Sequence, residues 1–146
     1  EPDYHHVWIL VNLALVAVGL GDRVRGHLVE RALEPFPGRS AVNSFQFTLG
    51  ATDHALGLLA ELRGDLPAAA TRLRQAVLEN RCMGLPVPLA RSELELARVL
   101  RLSGEGEAAR QHLGAGEQLA VKYGLKPLIE RARALRAGDG TPPLVV

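Results

Sequence analysis

Among the residues able to ligate a metal or attack a substrate, the five histidines and the one cysteine come first, and their spacing gives them no shared chemistry. His5 and His6 are adjacent and so point to different helix faces, His54 follows Asp53, and His27 and His112 are isolated. Neither His-x-x-x-His nor Glu-x-x-His occurs, the spacings that put two ligands on one helix face. Cys82 lies beside Met83 near a helix end with no histidine close in sequence, and reads as a small buried hydrophobe rather than a nucleophile. Alone, it also rules out an internal disulfide and a cysteine-built zinc site. Gly104-Glu105-Gly106 lacks the third glycine, the following lysine and the preceding strand of a phosphate cradle, so it is read as a turn. The expectation is a chain that is not an enzyme, with no metal and no cofactor.

Arginines are the remaining candidates. Arg91, Arg98 and Arg101 are offset by seven and three residues, which keeps them on one face of a helix. A carboxylate-bearing peptide could dock there through bidentate contacts. The competing reading is an ordinary solvated face with Arg91 paired to Glu95 four positions on.

These residues must be held by helices. The chain of 146 residues has 47% apolar but only 4% aromatic side chains, so its core is built from Leu, Val and Ala packed helix on helix. A formal charge of +1 lacks the basic excess of a dedicated nucleic-acid surface. Only Lys122 and Lys126 among the 17 basic residues are lysines, a bias that suits a GC-rich bacterial coding sequence. The apolar run Val7 to Leu20 is broken by Asn12 and Gly19 and is shorter than the roughly 20 residues that span a bilayer, and it lacks the flanks of a signal peptide. A cytoplasmic location is expected, and a start at Glu1 suggests an excised fragment of a longer protein.

Helical periodicity predicts a first helix through Leu20, apolar on nearly every side, then Gly21-Asp22 and a helix from Arg23 to Leu33 with Leu28, Val29, Ala32 and Leu33 inward. The outer face of the first helix would meet either a neighbouring hairpin or a second copy of the chain. After the breaker EPFPGRS, one long helix is predicted from Ser40 to Arg63, with a soft start around Phe45 and Phe47. Gly64-Asp65 turns it into Leu66 to Arg81; Pro88 opens a helix from Leu89 to Ser103, and Glu107 to Tyr123 and Pro127 to Arg136 follow.

Two of these hairpins superimpose in sequence. Leu56-Gly57-x-x-Ala60, Gly64-Asp65, Ala69-x-x-x-Leu73 and Ala76 match Leu96-Ala97-x-x-Leu100, Gly104-Glu105, Ala109-x-x-x-Leu113 and Gly116 at a constant offset of 40. Leu13-Ala14-x-x-Ala17 and Gly21-Asp22, with Val29 and Ala32, form a looser copy at 43 or 44. The pattern resembles the tetratricopeptide repeat, with Ala60 and Leu73 where that repeat carries aromatics and a period longer than the usual ~34 residues. Long, Leu-rich, aromatic-poor copies are similar to the helical regions of bacterial signal-transduction ATPases and LuxR-type transcriptional regulators.

The resemblance implies an all-α fold: antiparallel hairpins stacked as a right-handed superhelix in one domain over residues 1–137. Its repeats would span 4–34, 41–83 and 87–124, with a capping helix over 126–137 and a flexible tail over 138–146. By analogy with the repeat, Trp8, Val11, Leu15, His54, Leu58, Glu61, Arg91, Arg98 and Arg101 would line its concave groove. The function expected is a protein-interaction module of a larger regulator, binding a protein or peptide or forming a homodimer through the apolar first helix. The alternative is a ligand-sensing domain holding a small molecule or peptide in the groove. Direct nucleic-acid or membrane binding is not expected.

Overall fold

Glycine ends six of the seven helices found among the described residues, and these endings set the architecture. The computed structural model describes residues 4–42, 48–138 and 140–144, the side chain of Tyr4 apart. Its helices are α1 (Tyr4–Leu20), α2 (Arg23–Leu33), α3 (Thr52–Leu62), α4 (Leu66–Cys82), α5 (Pro86–Leu102), α6 (Gly106–Lys122) and α7 (Lys126–Ala137). Gly21, Gly64, Gly84, Gly104 and Gly124 all have positive φ, which a side chain would disfavour. At each, two backbone bonds close the helix end; Asp65 N–H donates to the Ala60 carbonyl and Gly64 N–H to that of Glu61, and the other four repeat this pattern. From Gly64 onward the spacing is 20 residues, a 17-residue helix plus a three-residue turn. Asp22 and Asp65 then cap the next helix by accepting from the N–H of Arg25 and Ala68, each at 2.9 Å.

Short turns force consecutive helices together: α3 packs on α4, α4 on α5, α5 on α6 and α6 on α7, while α1 lies against α2 and α3. The faces that meet recur. Buried positions on α2 are Gly26, Glu30 and Leu33; adding 43 gives Ala69, Leu73 and Ala76 of α4, and a further 40 gives Ala109, Leu113 and Gly116 of α6. The first hairpin therefore follows a constant offset of 43, and the match through Val29 and Ala32 at 44 is corrected. Charge on Glu30 and the absent side chain of Gly26 hid this register, because neither scores as apolar. Leu28, expected inward, is 64% exposed.

A second correction concerns the predicted long helix. Residues 40–42 (Ser40–Val42) and Thr48–Ala51 form strands β1 and β2 of an antiparallel pair, and the helix starts only at Thr52. Phe45 and Phe47 lie outside the described residues. Gly50, at φ 92°, lets β2 pass so close to Pro88 that a Cβ would stand 2.5 Å from the proline ring. Side-chain bonds hold the arm: Thr52 Oγ1 donates to the Phe36 carbonyl, and Ala51 N–H donates to Asn80 Oδ1. Such nonlocal anchors leave no periodic trace. Helix α5 also begins three residues earlier than expected, at Pro86. Cys82 is exposed, against the expectation of burial, because it ends α4 beside the turn. Beyond Gly138, Leu144 packs against the apolar cluster formed by α5, α6 and α7, in the region expected as a flexible tail. No helix among the described residues is long and apolar enough to cross a membrane.

Between α3 and α4 the close approach is at Gly57, where an added Cβ would lie 2.7 Å from Leu73 Cγ and 3.3 Å from the Ala69 carbonyl oxygen. Gly57→Ala is expected to cost about 1–3 kcal/mol in urea denaturation. Gly114, inside α6 with nothing within 4 Å, is the control: Gly114→Ala should stabilise by up to about 1 kcal/mol.

Candidate functional site

Polar groups are drawn into the interior mainly on α3 and α5. Every residue of α5 from Pro88 to Leu100 except Arg91 is buried, including Glu93, Glu95 and Arg98. Each of those charges is met by another element. Glu93 accepts from Arg81 of α4 at 3.0 Å and contacts His112 of α6 at 2.6 Å. Arg98 clasps Glu61 of α3, with Nη1 to Oε1 at 2.6 Å and Nη2 to Oε2, and donates through Nε to Glu95 at 2.9 Å. The other oxygen of Glu95 accepts from Arg131 of α7 at 2.7 Å. Two carboxylates thus face two guanidiniums in one buried row.

Beside this row runs a directional hydrogen-bond relay. Asn80 Oδ1 accepts from Ala51, so its amide donates to Ser92 Oγ at 3.1 Å, and Ser92 lies 2.9 Å from His54 Nδ1. His54 Nε2, on the other side of the ring, is buried and has no partner. Burial, with the positive charges of Arg91 and Arg98, pushes the His54 pKa down to about 3. The imidazole is neutral at physiological pH.

Arg91 is the exception to this pairing. It is half-buried, makes none of the hydrogen bonds or ion pairs found among the described residues, and its Nε is shielded from solvent without a partner. Desolvation lowers its pKa, offset in part by the charge of Glu95. Its side chain lines a cleft of ≈ 470 Å³ with Leu49 of β2 and Asn12, Leu15, Val16, Gly19 and Leu20 of α1. A smaller cleft of ≈ 280 Å³ near the other end of α5 includes Arg98, Arg101, Arg110 and Arg136.

The expected groove residues thus divide. Leu15 and Arg91 meet at the larger cleft. Val11 and Leu58 belong to the first apolar cluster, and Trp8 packs on it. His54 is enclosed, Glu61 and Arg98 satisfy each other, and Arg101 donates through Nη1 to the Leu135 carbonyl. The three arginines do not form one docking face, and Arg91 is not paired with Glu95, whose oxygens Arg98 and Arg131 take. Sequence reasoning missed Asn80 and Ser92, which join across α4 and α5, and Leu49, which β2 brings to the cleft of Arg91; no local signal marks them. Among the described residues no group of three or more His, Cys, Asp or Glu could hold a metal ion. No protein-family model, curated protein or solved structure matches the chain.

Two outcomes test this geometry. Arg98→Met leaves Glu61 buried without its partner and should cost about 3–5 kcal/mol, part of which Arg98→Met/Glu61→Met recovers. For His54, the unfolded chain binds a proton below pH ~6.5 that the folded chain refuses until about pH 3, so its contribution to stability falls as pH drops through that window. Wild type should lose roughly 2 kcal/mol more than His54→Gln between pH 7 and pH 5, measured by denaturant titration at both pH values.

Proposed function

We propose that the chain is a TPR-like helical-repeat interaction module of a larger bacterial transcriptional or signalling regulator. In this reading three hairpins stack into a right-handed superhelix closed by α7, and the open face of α1 docks a protein. What supports the repeat is the recurrence of buried positions at offsets of 43 and 40, and of one glycine turn at every 20 residues from Gly64. The resemblance to helical regions of regulatory ATPases and LuxR-type proteins supports the setting.

One observation carries the docking assignment. Leu56 and Leu59 of α3, and Leu96 and Val99 of α5, are fully or almost fully buried. Leu59 lies against Gly26 of α2, and Leu96 and Val99 share a cluster with Ala69, Leu73 and Val77 of α4. The same register on α1 falls at Leu13 and Val16, which are 48% and 57% exposed. Ile9 and Leu20 extend this stripe along α1, and Val24 and Leu28 add to the exposed apolar surface on α2. Such a face fits a helix with small residues at the contact, like those that cover α3 and α5. Another hairpin, from a partner protein or from a second copy, supplies one.

Light scattering behind gel filtration tests the self-association arm. Wild type should form a dimer at high concentration, and Leu13→Glu/Val16→Glu should be monomeric with unchanged helicity. If no dimer forms, a partner is expected whose capture the same double variant abolishes. Capture that survives the substitutions rejects this face. A second reading, ligand sensing in the groove, is favoured by one feature: the unanswered charge of Arg91 in the α1–β2–α5 cleft.

A further inference from the structure

Among the charges drawn into the interior around α5, those beside Arg91 are already balanced. Glu61 and Glu95 are matched by Arg98 and Arg131, with both oxygens of Glu95 engaged. His54 adds no charge, because it stays neutral at physiological pH. Arg91 therefore presents one uncompensated positive charge, and it does so in a cleft otherwise walled by Leu15, Val16, Leu20 and Leu49. Among the described residues the only other polar side chain of the lining is Asn12, which donates one of its two amide hydrogens to the Trp8 carbonyl at 2.8 Å.

We propose that this cleft binds a small aliphatic monocarboxylate, its carboxylate on the Arg91 guanidinium and its chain along α1 between Asn12 and Leu20. Charge sets the head group. A carboxylate matches a single arginine, whereas a phosphate monoester carries nearly two charges and finds no second cation among the described residues of the lining. The apolar walls set the body. A peptide would bring an N–H and a C=O at every residue into a surface with almost nothing to pair them, at a penalty for each group left bare. Length follows from the helix: Asn12 to Leu20 covers about 12 Å, which suits a medium-chain acid. Burial of the Arg91 guanidinium lowers its pKa, which the charge of Glu95 offsets only in part.

The cleft shares Val16 and Leu20 with the docking stripe, so the two proposals are told apart through Arg91, which lies on α5 outside that stripe. The test is isothermal titration calorimetry of the full chain with sodium octanoate below its micellar range, with 1-octanol as a probe of equal chain and no charge. Octanoate should bind at one site and raise Tm, and 1-octanol should bind at least tenfold more weakly. Arg91→Met should weaken octanoate at least tenfold and leave 1-octanol unchanged. Arg91→Lys should fall between. Because Arg91→Met removes an unpaired, half-buried cation, its own Tm without ligand should equal or exceed that of wild type, so loss of binding is not loss of fold. Equal binding of octanol and octanoate, undiminished binding by Arg91→Met, or no binding by wild type overturns the proposal. Tighter binding of the tetrapeptide acid Gly-Gly-Leu-Leu, lost on amidation of its C-terminus, overturns it in favour of a peptide ligand. Dimerisation unaffected by any Arg91 substitution keeps the outcome separate from that of the α1 face.

Discussion

Enclosure of α5 is the constraint on which the other packing depends. A helix in contact with α4, α6, α7 and β2 has no solvated side for its charges, yet it carries Glu93, Glu95 and Arg98 in its buried stretch. Each can stay ionised only if a neighbour answers it, and the neighbours differ: α4 and α6 for Glu93, α7 for Glu95, α3 for Arg98. Apolar packing of Leu, Val and Ala tolerates small slips along a helix. These ion pairs do not, because a shift of one residue would bury a charge without its partner, a penalty far above the net gain of the pair itself. Their role is registry more than stability.

The same logic explains a second recurrence that apolar periodicity could not reveal. Asp53 of α3 pairs with Arg72 of α4 at 2.9 Å; forty residues on, Glu93 of α5 pairs with His112 of α6 at 2.6 Å. Acid on the first helix and base on the second clasp each hairpin at an equivalent level. In the first hairpin these positions fall at Leu10 and Val29, both in or against the first apolar cluster, so an apolar contact occupies the place of the clasp. Reading along a single helix cannot find such a pair, since neither member departs from the polar background of its own segment.

Legibility therefore followed the range of the interaction. The helical class, the glycine turns and the small close-packing residues Gly57, Ala69 and Ala76 were readable because they depend on neighbours within a few residues or on a fixed offset. The β1–β2 arm was not: Ser40 to Ala51 contains no alternation strong enough to override the helical pattern that continues into α3, and what holds it is Asn80 and Pro88, some thirty residues or more downstream. Of the candidate groove residues, Leu15 and Arg91 line one cleft. The arginine cluster failed as a unit because spacing on one face says nothing about which acids approach from α3 and α7.

Where the sequence-level and structural readings part is also where polar pairing fails to close. Arg98 and Arg131 pair with Glu61 and Glu95, and the chain of hydrogen bonds from Ala51 through Asn80 and Ser92 to His54 leaves Nε2 of that imidazole without a partner. Two unspent nitrogens, on His54 and Arg91, remain near the junction of β2 and α5. A chain that balances Glu93, Glu95 and Arg98 in its most enclosed helix does not need a bare guanidinium for its own stability, and an aliphatic side chain would fill the wall beside Leu15 and Leu49 at less cost. Retaining arginine there is intelligible if a ligand supplies the missing negative charge. Because Val16 and Leu20 both line the cleft and belong to the exposed stripe of α1, a ligand seated on Arg91 touches the back of the surface proposed for docking. Occupancy of the one can then bias the other through two shared side chains, with no displacement of the hairpins required.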